Sequence, residues 1–261
     1  MTELHTQPAP AWTRGTLDDP HAAPDKSRRV RDMFGAIARS YDLNNRVHSL
    51  WRDEAWRRTA VKMARVAPGD EVLDLACGTG DLTHAFARRS RAARIVGADF
   101  TQEMLDLAEH KRAALHPELA ARVSYTNADA MALPFGDASF DVVSIAFGIR
   151  NVQDPVAALG EMRRVLRPGG RLVVLEFDRP RLAPVRWFND LYAARVMPRT
   201  ATWIARDRSG AYRYLPKSVE TFWTSDELRA ALGDAGFSDP RSRPLSLGIC
   251  ACTRATAPDG A

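Results

Sequence analysis

EVLDLACGTGDLT, residues 71–83, is the stretch that decides the fold. Its first six residues form an apolar run typical of a buried strand, and its last residues begin a helical pattern. Between them the letters CGTG predict a tight turn, because glycine lets a ligand approach the main chain without obstruction by a Cβ atom. Such turns bind dinucleotides, phosphates or S-adenosylmethionine, so this stretch alone leaves the ligand open.

Strand and helix patterns alternate along the rest of the chain. Thr101, Asp154 and Ser225 are predicted N-caps of the intervening helices, and Pro155 is predicted to open its helix. This alternation is typical of a parallel sheet with helices on both faces. We therefore expect an α/β, Rossmann-like fold with a central, mostly parallel seven-stranded sheet. The predicted strands lie at residues 71–76, 93–100, 122–128, 140–147 and 171–177, with two more within 239–255.

Composition and periodicity divide the chain into segments. The first part is rich in Pro, Ala, Asp and Thr without periodicity, and the part before Pro68-Gly69 has apolar positions at helical spacing. The predicted segments are a disordered tail (1–26), an N-terminal helical lid (27–68), the strand–helix domain (69–254) with a helical insertion that covers the substrate (181–217), and a second tail (255–261).

Bulk properties exclude several classes of protein. The 261 residues are 45% hydrophobic, which is enough for a substantial core, and no apolar run is long enough to cross a membrane. The N-terminus lacks the apolar centre of a secretion signal. The three cysteines have no metal-ligand spacing, so we expect no metal, no disulfide framework and a cytoplasmic location. A net charge of +5 permits an anionic membrane or nucleic acid as a partner but requires neither.

Polar residues follow the predicted strands at the edge where parallel sheets bind ligands. Gly78 and Thr79 lie in the glycine turn, Asp99 ends the second strand, and Asp129 follows the third. The Asp99 carboxylate can accept hydrogen bonds from both ribose hydroxyls of an adenosine, and Asp129 can accept one from an adenine amino group. These features suit NAD as well as S-adenosylmethionine. The turn lacks the third glycine of the dinucleotide fingerprint, which favours S-adenosylmethionine.

Longer motifs carry a resemblance to known families. Class I S-adenosylmethionine-dependent methyltransferases have stretches similar to VLDLACGTGDLT (72–83), GADFTQEML (97–105), ADAMALPFGDASFDVV (128–143) and RVLRPGGRLVVLEF (164–177). The chain resembles the ubiquinone/menaquinone biosynthesis C-methyltransferase family more specifically, through MFGAIARSYDLNN (33–45), AFGIRNVQDP (146–155) and AYRYLPKSV (211–219). The resemblance covers roughly residues 28–254.

The resemblance implies a set of cofactor-binding residues. By position, Thr79, Asp99, Asp129 and Ala130 match the residues with which the family binds S-adenosylmethionine, its co-substrate. Ala146 stands where the family often has a serine that also meets the cofactor, so that hydroxyl contact is lost.

Three departures from the family pattern fall near the expected substrate side. Trp51 replaces the usual glycine, Asp53 stands where a histidine is common, and Asp178 replaces a serine. These departures concern the identity of the methyl acceptor and leave the assignment of the cofactor unchanged.

The resemblance further implies that the acceptor is a membrane-dissolved prenylated quinol, either demethylmenaquinol or the ubiquinone precursor. A ring carbon becomes nucleophilic when a neighbouring hydroxyl supplies electrons, so we expect the quinol and not the quinone to react. Arg150 is a candidate to stabilise a phenolate, and Asn151 to hold the second ring oxygen. Tyr41 either contacts substrate or packs the lid, and an ion pair with Asp154 is the alternative for Arg150. A non-catalytic cofactor-binding subunit is the remaining alternative.

The insertion is basic and aromatic. Residues 181–217 contain eight Arg or Lys and two Asp, interleaved with Trp, Phe and Tyr. One interpretation is a peripheral membrane contact that admits a prenyl tail. The other is a helical cap with an aromatic core and solvated arginines. Nucleic-acid binding is disfavoured because strand four lacks the Asn/Asp-Pro-Pro-aromatic loop of base-amine methyltransferases. The oligomeric state stays open, with a homodimer as one interpretation.

Overall fold

The computed structural model describes residue 12 and residues 17–205 and 210–259. Residues 1–11 and 13–16 of the predicted tail lie outside the described residues, as do 206–209 of the insertion and the last two residues of the chain.

A single twisted sheet organises the described part of the chain. Within it there are seven strands in the order β3-β2-β1-β4-β5-β7-β6, parallel except for β7, which runs antiparallel to both of its neighbours. The predicted mostly parallel, seven-stranded sheet is therefore confirmed. The strands are β1 (Glu71–Leu75), β2 (Arg94–Asp99), β3 (Val123–Asn127), β4 (Phe140–Ala146), β5 (Leu166–Phe177), β6 (Ser238–Leu245) and β7 (Cys250–Thr256).

The central strands are buried on both faces, which explains why they read as continuous apolar runs. Successive side chains point to opposite faces, so neighbours in β1 join different core layers. Leu73 packs in one layer with Val143 and Leu172, while Val72 packs in the other with Val142. Helices complete each layer because a sheet buried on one side only would expose the other apolar face.

Helices follow the strands as expected, with two local corrections. The helices are α1 (Lys26–His48), α2 (Arg52–Ala64), α3 (Asp81–Arg89), α4 (Gln102–Ala113), α5 (Pro117–Ala120), α6 (Pro155–Val165), α7 (Ala183–Leu191), α8 (Met197–Ala205), α9 (Ala211–Glu220) and α10 (Ser225–Asp234). Asp154 caps α6 by accepting from two backbone N–H groups, as predicted. The predicted cap at Ser225 is wrong, because Thr224 and Glu227 form a capping box one residue earlier. Thr101 precedes α4 but makes no side-chain cap bond.

The helix α1 packs against α8 and α9 beside the carboxyl ends of the strands, whereas α2 lies on one face of the sheet, where Trp56 and Val61 join the layer of Val72. A third apolar cluster joins α1 to α9, through Val30, Met33 and Tyr214. Trp12, which falls in the predicted disordered tail, is fully buried in this cluster. At the other end, β7 continues to Thr256 and so includes the start of the second predicted tail. No helix of the described ranges is both long and apolar enough to cross a bilayer.

Candidate functional site

A cleft of about 730 Å³ opens at the carboxyl ends of β1, β2 and β4, beneath α1. This is the edge where parallel sheets bind ligands. The cleft brings together Gly78, Asp99, Asp129, Ala130 and Asn151, five of the predicted site residues, and Tyr41 closes it from α1. The sequence prediction therefore converges on one place in the fold.

The glycine turn is held in shape by Asp99. One carboxylate oxygen of Asp99 accepts a hydrogen bond from the Gly78 N–H at 2.8 Å, and the other accepts from the Thr101 N–H at 2.9 Å. Burial raises the pKa of Asp99, and the backbone N–H donors oppose that rise by stabilising the charged form. A Cβ added at Gly78 would meet only Tyr41, at 3.9 Å, so the turn leaves open space on its ligand side.

Two glycines accommodate one aromatic ring below the turn. A Cβ atom at Gly80 would lie 2.3 Å from the Tyr125 hydroxyl oxygen, and one at Gly97 would lie 2.5 Å from the Tyr125 ring. The Tyr125 hydroxyl is in turn 2.8 Å from His84 Nε2. Gly80 also has a φ of 82°, a conformation that other residues rarely adopt. Glycine is thus required at both places by close packing.

Asp129 and Ala130 extend the cleft beyond β3. Asp129 is exposed, and its carboxylate accepts from the Met131 N–H at 2.9 Å. That bond orients the side chain on the rim of the cleft. An exposed acceptor therefore lies in the same cleft as the buried carboxylate of Asp99.

Thr79 lies in a smaller adjoining cavity of about 370 Å³. Its hydroxyl donates to Asp42 at 2.6 Å, and Lys111 Nζ donates to Asp42 at 2.8 Å and to Asp81 at 2.5 Å. This network ties α1 to the glycine turn and to α4. Sequence reasoning missed Lys111, because a lysine within a helical pattern carries no motif signal.

Arg57 closes the same cavity from α2. It pairs with Asp53 at 2.5 Å, one helical turn earlier, and with Asp81 at 3.3 Å. The aspartate that departs from the family pattern at position 53 thus has a buried arginine partner. The three carboxylates of Asp42, Asp53 and Asp81 face the two cations of Arg57 and Lys111, which leaves one excess negative charge for a cationic ligand.

Asp74 lies beneath the turn and away from solvent. It accepts hydrogen bonds from the Thr83 hydroxyl at 2.6 Å and the Ser144 hydroxyl at 2.7 Å. Burial raises its pKa to about 6 despite these bonds. Asp74 therefore joins β1, β4 and α3 in the wall of the smaller cavity.

Asn151 is the predicted acceptor-side residue that reaches the cleft. Its amide nitrogen donates to the Phe147 carbonyl at 3.0 Å, and its amide oxygen accepts from the Tyr214 hydroxyl at 2.9 Å. Tyr214 comes from the AYRYLPKSV stretch, which supplies the structural reason for that motif.

Tyr41 lines both cavities and packs edge-on against Phe34, and burial raises the pKa of its hydroxyl.

Arg150 points into the core and not into the cleft. Its Nη1 donates to Glu176 Oε1 at 2.5 Å and to the Phe147 carbonyl at 2.8 Å. The alternative partner considered from the sequence, Asp154, is wrong, because that carboxylate caps α6. Burial raises the pKa of Glu176, while the Arg150 charge opposes the rise. The sequence carries no signal for the pair of Arg150 and Glu176, because Arg150 follows β4 whereas Glu176 lies near the end of β5.

No group of three or more His, Cys, Asp or Glu side chains able to hold a metal occurs in the described ranges. Ala146, at the end of β4, lines both cavities without offering a hydroxyl.

Comparison with known sequences gives a consistent result. The sequence model described as the ubiE/COQ5 methyltransferase family matches residues 23–257. A protein of Thermus thermophilus named demethylmenaquinone methyltransferase is 47% identical over 219 residues, which are 84% of this chain and 97% of that protein. A protein of Geotalea daltonii named ubiquinone/menaquinone biosynthesis C-methyltransferase UbiE is 41% identical over 226 residues, covering 86% and 94% of the two chains.

Solved structures support the same fold at lower sequence identity. An S-adenosylmethionine-dependent methyltransferase from Thermotoga maritima has a TM-score of 0.61 at 20% identity, covering 87% of this chain and 99% of that chain. A chain of the complex between the Haloferax volcanii Trm112 methyltransferase activator and its methyltransferase has a TM-score of 0.60 at 21% identity, covering 87% and 97%. The Rossmann-like class I methyltransferase fold expected from the sequence is confirmed.

Proposed function

Because this chain belongs to the ubiE/COQ5 methyltransferase family, we propose that it transfers a methyl group from S-adenosylmethionine to a ring carbon of a prenylated quinol. Demethylmenaquinol is the proposed acceptor, and menaquinol the product. The observation that carries the proposal is the single cleft in which the Asp99-held glycine turn lies beside Asn151 and Tyr41. A cofactor site and an acceptor site thus share one space.

The proposed cofactor-binding residues suit an adenosine joined through a cationic sulfonium to a zwitterionic amino acid end. Asp99 accepts from the ribose hydroxyls, and Asp129 and Ala130 meet the adenine. Thr79 and the charged network of the smaller cavity lie where the methionine end would extend, and their excess negative charge suits a ligand with a net positive charge. S-adenosylmethionine supplies an electrophilic methyl group on its sulfonium.

The protein's own part in the reaction is alignment of the acceptor with the methyl group. The ring carbon must lie within about 3–3.5 Å of the methyl carbon and in line with the bond that breaks. Asn151 holds a ring oxygen by hydrogen bonding, and Tyr41 covers the ring from α1. Arg150 acts on this site from behind, because its guanidinium and the Asn151 amide donate to the same Phe147 carbonyl. Because its charge is paired with Glu176, the proposed part of Arg150 is to hold this carbonyl in place and not to stabilise a phenolate directly.

The choice of demethylmenaquinol rests on the relatives. The Thermus thermophilus protein, at 47% identity, is named for demethylmenaquinone alone, whereas the UbiE names cover both quinone pathways. The ubiquinone precursor is the alternative acceptor, and it presents the same chemistry of a ring carbon beside a hydroxyl.

A peripheral membrane contact accompanies this substrate. The helix α7 and the following turn Tyr192–Val196 contain no buried residue, and Trp187 and Phe188 are 60% and 65% exposed. Exposed arginines at 186, 195 and 199 surround these aromatics. Aromatic side chains flanked by arginines suit the interface of a bilayer with anionic lipids. We propose that the insertion rests on the cytoplasmic face of the membrane in which the quinol is dissolved.

Acceptor dependence tests the proposed reaction. Purified protein is incubated with labelled S-adenosylmethionine and demethylmenaquinone in detergent, either chemically reduced or left oxidised. We expect label in the lipid product with the reduced acceptor only, because the ring carbon of the quinone lacks the electron-donating hydroxyl. Equal labelling of both forms, or no labelling of the quinol by protein that binds the cofactor in calorimetry, would contradict the proposal.

Liposome sedimentation tests the membrane contact. We expect binding to vesicles that contain phosphatidylglycerol and a loss of about tenfold in partitioning for a Trp187→Ser, Phe188→Ser double variant. Val156, which is also 60% exposed but lies on α6, provides the control substitution Val156→Ser. Equal partitioning of the double variant and the control would exclude this surface as the membrane contact.

A further inference from the structure

We propose that Trp12 and residues 17–27, here called the N-terminal strap, position Asn151 for the acceptor, with Trp12 and Lys26 as the positioning residues. The inference rests on the proposed function, since it concerns the acceptor side of that site. It goes beyond the function because it gives a role to a segment of which Trp12 and residues 17–22 precede the family match at residue 23.

Trp12 acts on Asn151 through one intermediate residue. The Trp12 ring is fully buried and stacks on Tyr214, with ring centroids 4.4 Å apart and an angle of 25° between the planes. The Tyr214 hydroxyl donates to the Asn151 amide oxygen at 2.9 Å. Because the Asn151 amide nitrogen is bound to the Phe147 carbonyl, both ends of the amide are held and its orientation in the cleft is set.

Lys26 holds the residues that follow Asn151. Its ammonium donates to the Val152 carbonyl at 2.6 Å. Two residues, one on either side of Lys26 in the sequence, bind Gln153. Its amide oxygen accepts from the Ser27 N–H at 3.1 Å, and its amide nitrogen donates to the Ala23 carbonyl at 3.0 Å. Three hydrogen bonds therefore join the start of α1 to the two residues after Asn151.

A further contact joins the strap to Ser218, a neighbour of Arg150. His21 Nε2 lies 3.0 Å from the Ser218 carbonyl oxygen, and the Ser218 hydroxyl lies 3.4 Å from Arg150 Nε. The strap thus contacts the surroundings of both acceptor-side residues that the sequence predicted, while it makes no described contact with the glycine turn or Asp99.

The burial of Lys26 is consistent with a specific role. Its side chain is 1% exposed, and desolvation together with the nearby Arg150 charge lowers its pKa to about 8. A buried ammonium is costly unless its hydrogen bonds are specific. Here the bond is directed at the backbone of the loop that carries Asn151.

The test separates positioning from simple stabilisation. The variants are Trp12→Ala and Lys26→Met, with Trp12→Phe as the conservative replacement and Lys62→Met as a control at an exposed lysine of α2. We expect kcat/KM for the quinol to fall about tenfold in the two strap variants, as for other supporting residues. The Kd for S-adenosylmethionine should stay unchanged in calorimetry, and Trp12→Phe should restore most of the activity.

Hydrogen exchange supplies a readout that needs no substrate. In the folded strap variants we expect faster amide exchange in residues 148–153 than in the wild type, with unchanged exchange in 77–81. Unchanged kcat/KM and unchanged exchange in 148–153 would overturn the inference, as would an equal loss of cofactor and quinol binding. If the wild-type protein failed to methylate quinol, the proposed function would fail, while the exchange result would still decide the role of the strap.

Discussion

The Arg150 guanidinium and the Glu176 carboxylate form an ion pair of 2.5 Å inside the core, where β4 and β5 end beside the cleft. Both side chains are nearly inaccessible to solvent, and the guanidinium also lies over the Phe177 ring at 5.3 Å. Each charge is held in place by the other, because either alone would be buried without compensation. The link from this pair to Asn151 is the Phe147 carbonyl, which accepts from both Arg150 and Asn151.

Removing one partner of this pair should be costly. We expect Glu176→Gln to lower the free energy of unfolding by about 3–5 kcal/mol, because it leaves the Arg150 charge buried and unpaired. Glu220→Gln is the matched control, since Glu220 pairs with Lys217 at the surface and its loss should cost about 0–1 kcal/mol. Denaturant unfolding of both variants measures the difference, and equal losses would contradict the assignment of a buried pair.

Asp74 should make stability depend on pH in a defined direction. Its pKa in the folded protein is about 6, above the ordinary value of 3.8. The native state then binds more protons than the unfolded state between these values, so its stability contribution is present at low pH and is lost as the pH rises through 6. Asp74→Asn cannot titrate. We expect the stability of the wild type relative to this variant to fall by up to about 3 kcal/mol between pH 4 and pH 7.

Urea unfolding of the two proteins at a series of pH values measures this effect. Because both proteins keep every other titrating group, including His84, whose pKa is lowered to about 4 by burial, the difference isolates Asp74. Parallel curves across the range would contradict the raised pKa.

Gly97 should not tolerate alanine. The added Cβ would lie 2.5 Å from the Tyr125 ring and 3.1 Å from Cys77 Sγ, so we expect Gly97→Ala to destabilise the protein by about 1–3 kcal/mol. Gly160, in α6, meets nothing within 4 Å, and Gly160→Ala should stabilise by about 0.5–1 kcal/mol. Thermal unfolding compares the two, and a stabilised Gly97→Ala variant would show that the ring moves aside freely.

Trp51 should be replaceable by the glycine that is usual in the family. Its φ is 60°, in the left-handed region, and its side chain is 61% exposed, so little packing is lost on substitution. We expect Trp51→Gly to stabilise the protein by about 1 kcal/mol through relief of backbone strain. Trp187→Gly, at an equally exposed position inside α7, should instead destabilise by about 1 kcal/mol. The same sign of change for both would rule out backbone strain as the cause.

Local patterns predicted the sheet because they depend on neighbours along the chain. Apolar runs bounded by turns located the strands, and the Asp154-Pro155 pair located a helix start. The cap at Thr224 also has a local signal, since Glu227 completes a capping box three residues later. The adjacent Ser225 is a capping residue type as well, which is why the predicted cap is off by one residue.

Contacts between distant residues could not be predicted in this way. The sequence offered Asp154, four residues away, as the alternative partner of Arg150, whereas the observed partner Glu176 is brought near by the pairing of β4 with β5. Trp12 stands in a segment of disordered composition, and only the stacking on Tyr214 shows its place. Gly78, Asp99 and Asp129 lie at or just after the ends of neighbouring parallel strands, and for that reason their common place in the cleft could be predicted from the sequence.

The position of the transferred methyl group tests the central claim most directly. The wild-type protein is given S-adenosylmethionine with a deuterated methyl group and reduced demethylmenaquinone, and the product is analysed by mass spectrometry and NMR. We predict a deuterated methyl on the ring carbon beside the hydroxyl. A deuterated methyl on the oxygen, or no transfer by protein that binds the cofactor, would contradict C-methylation as the function of this site.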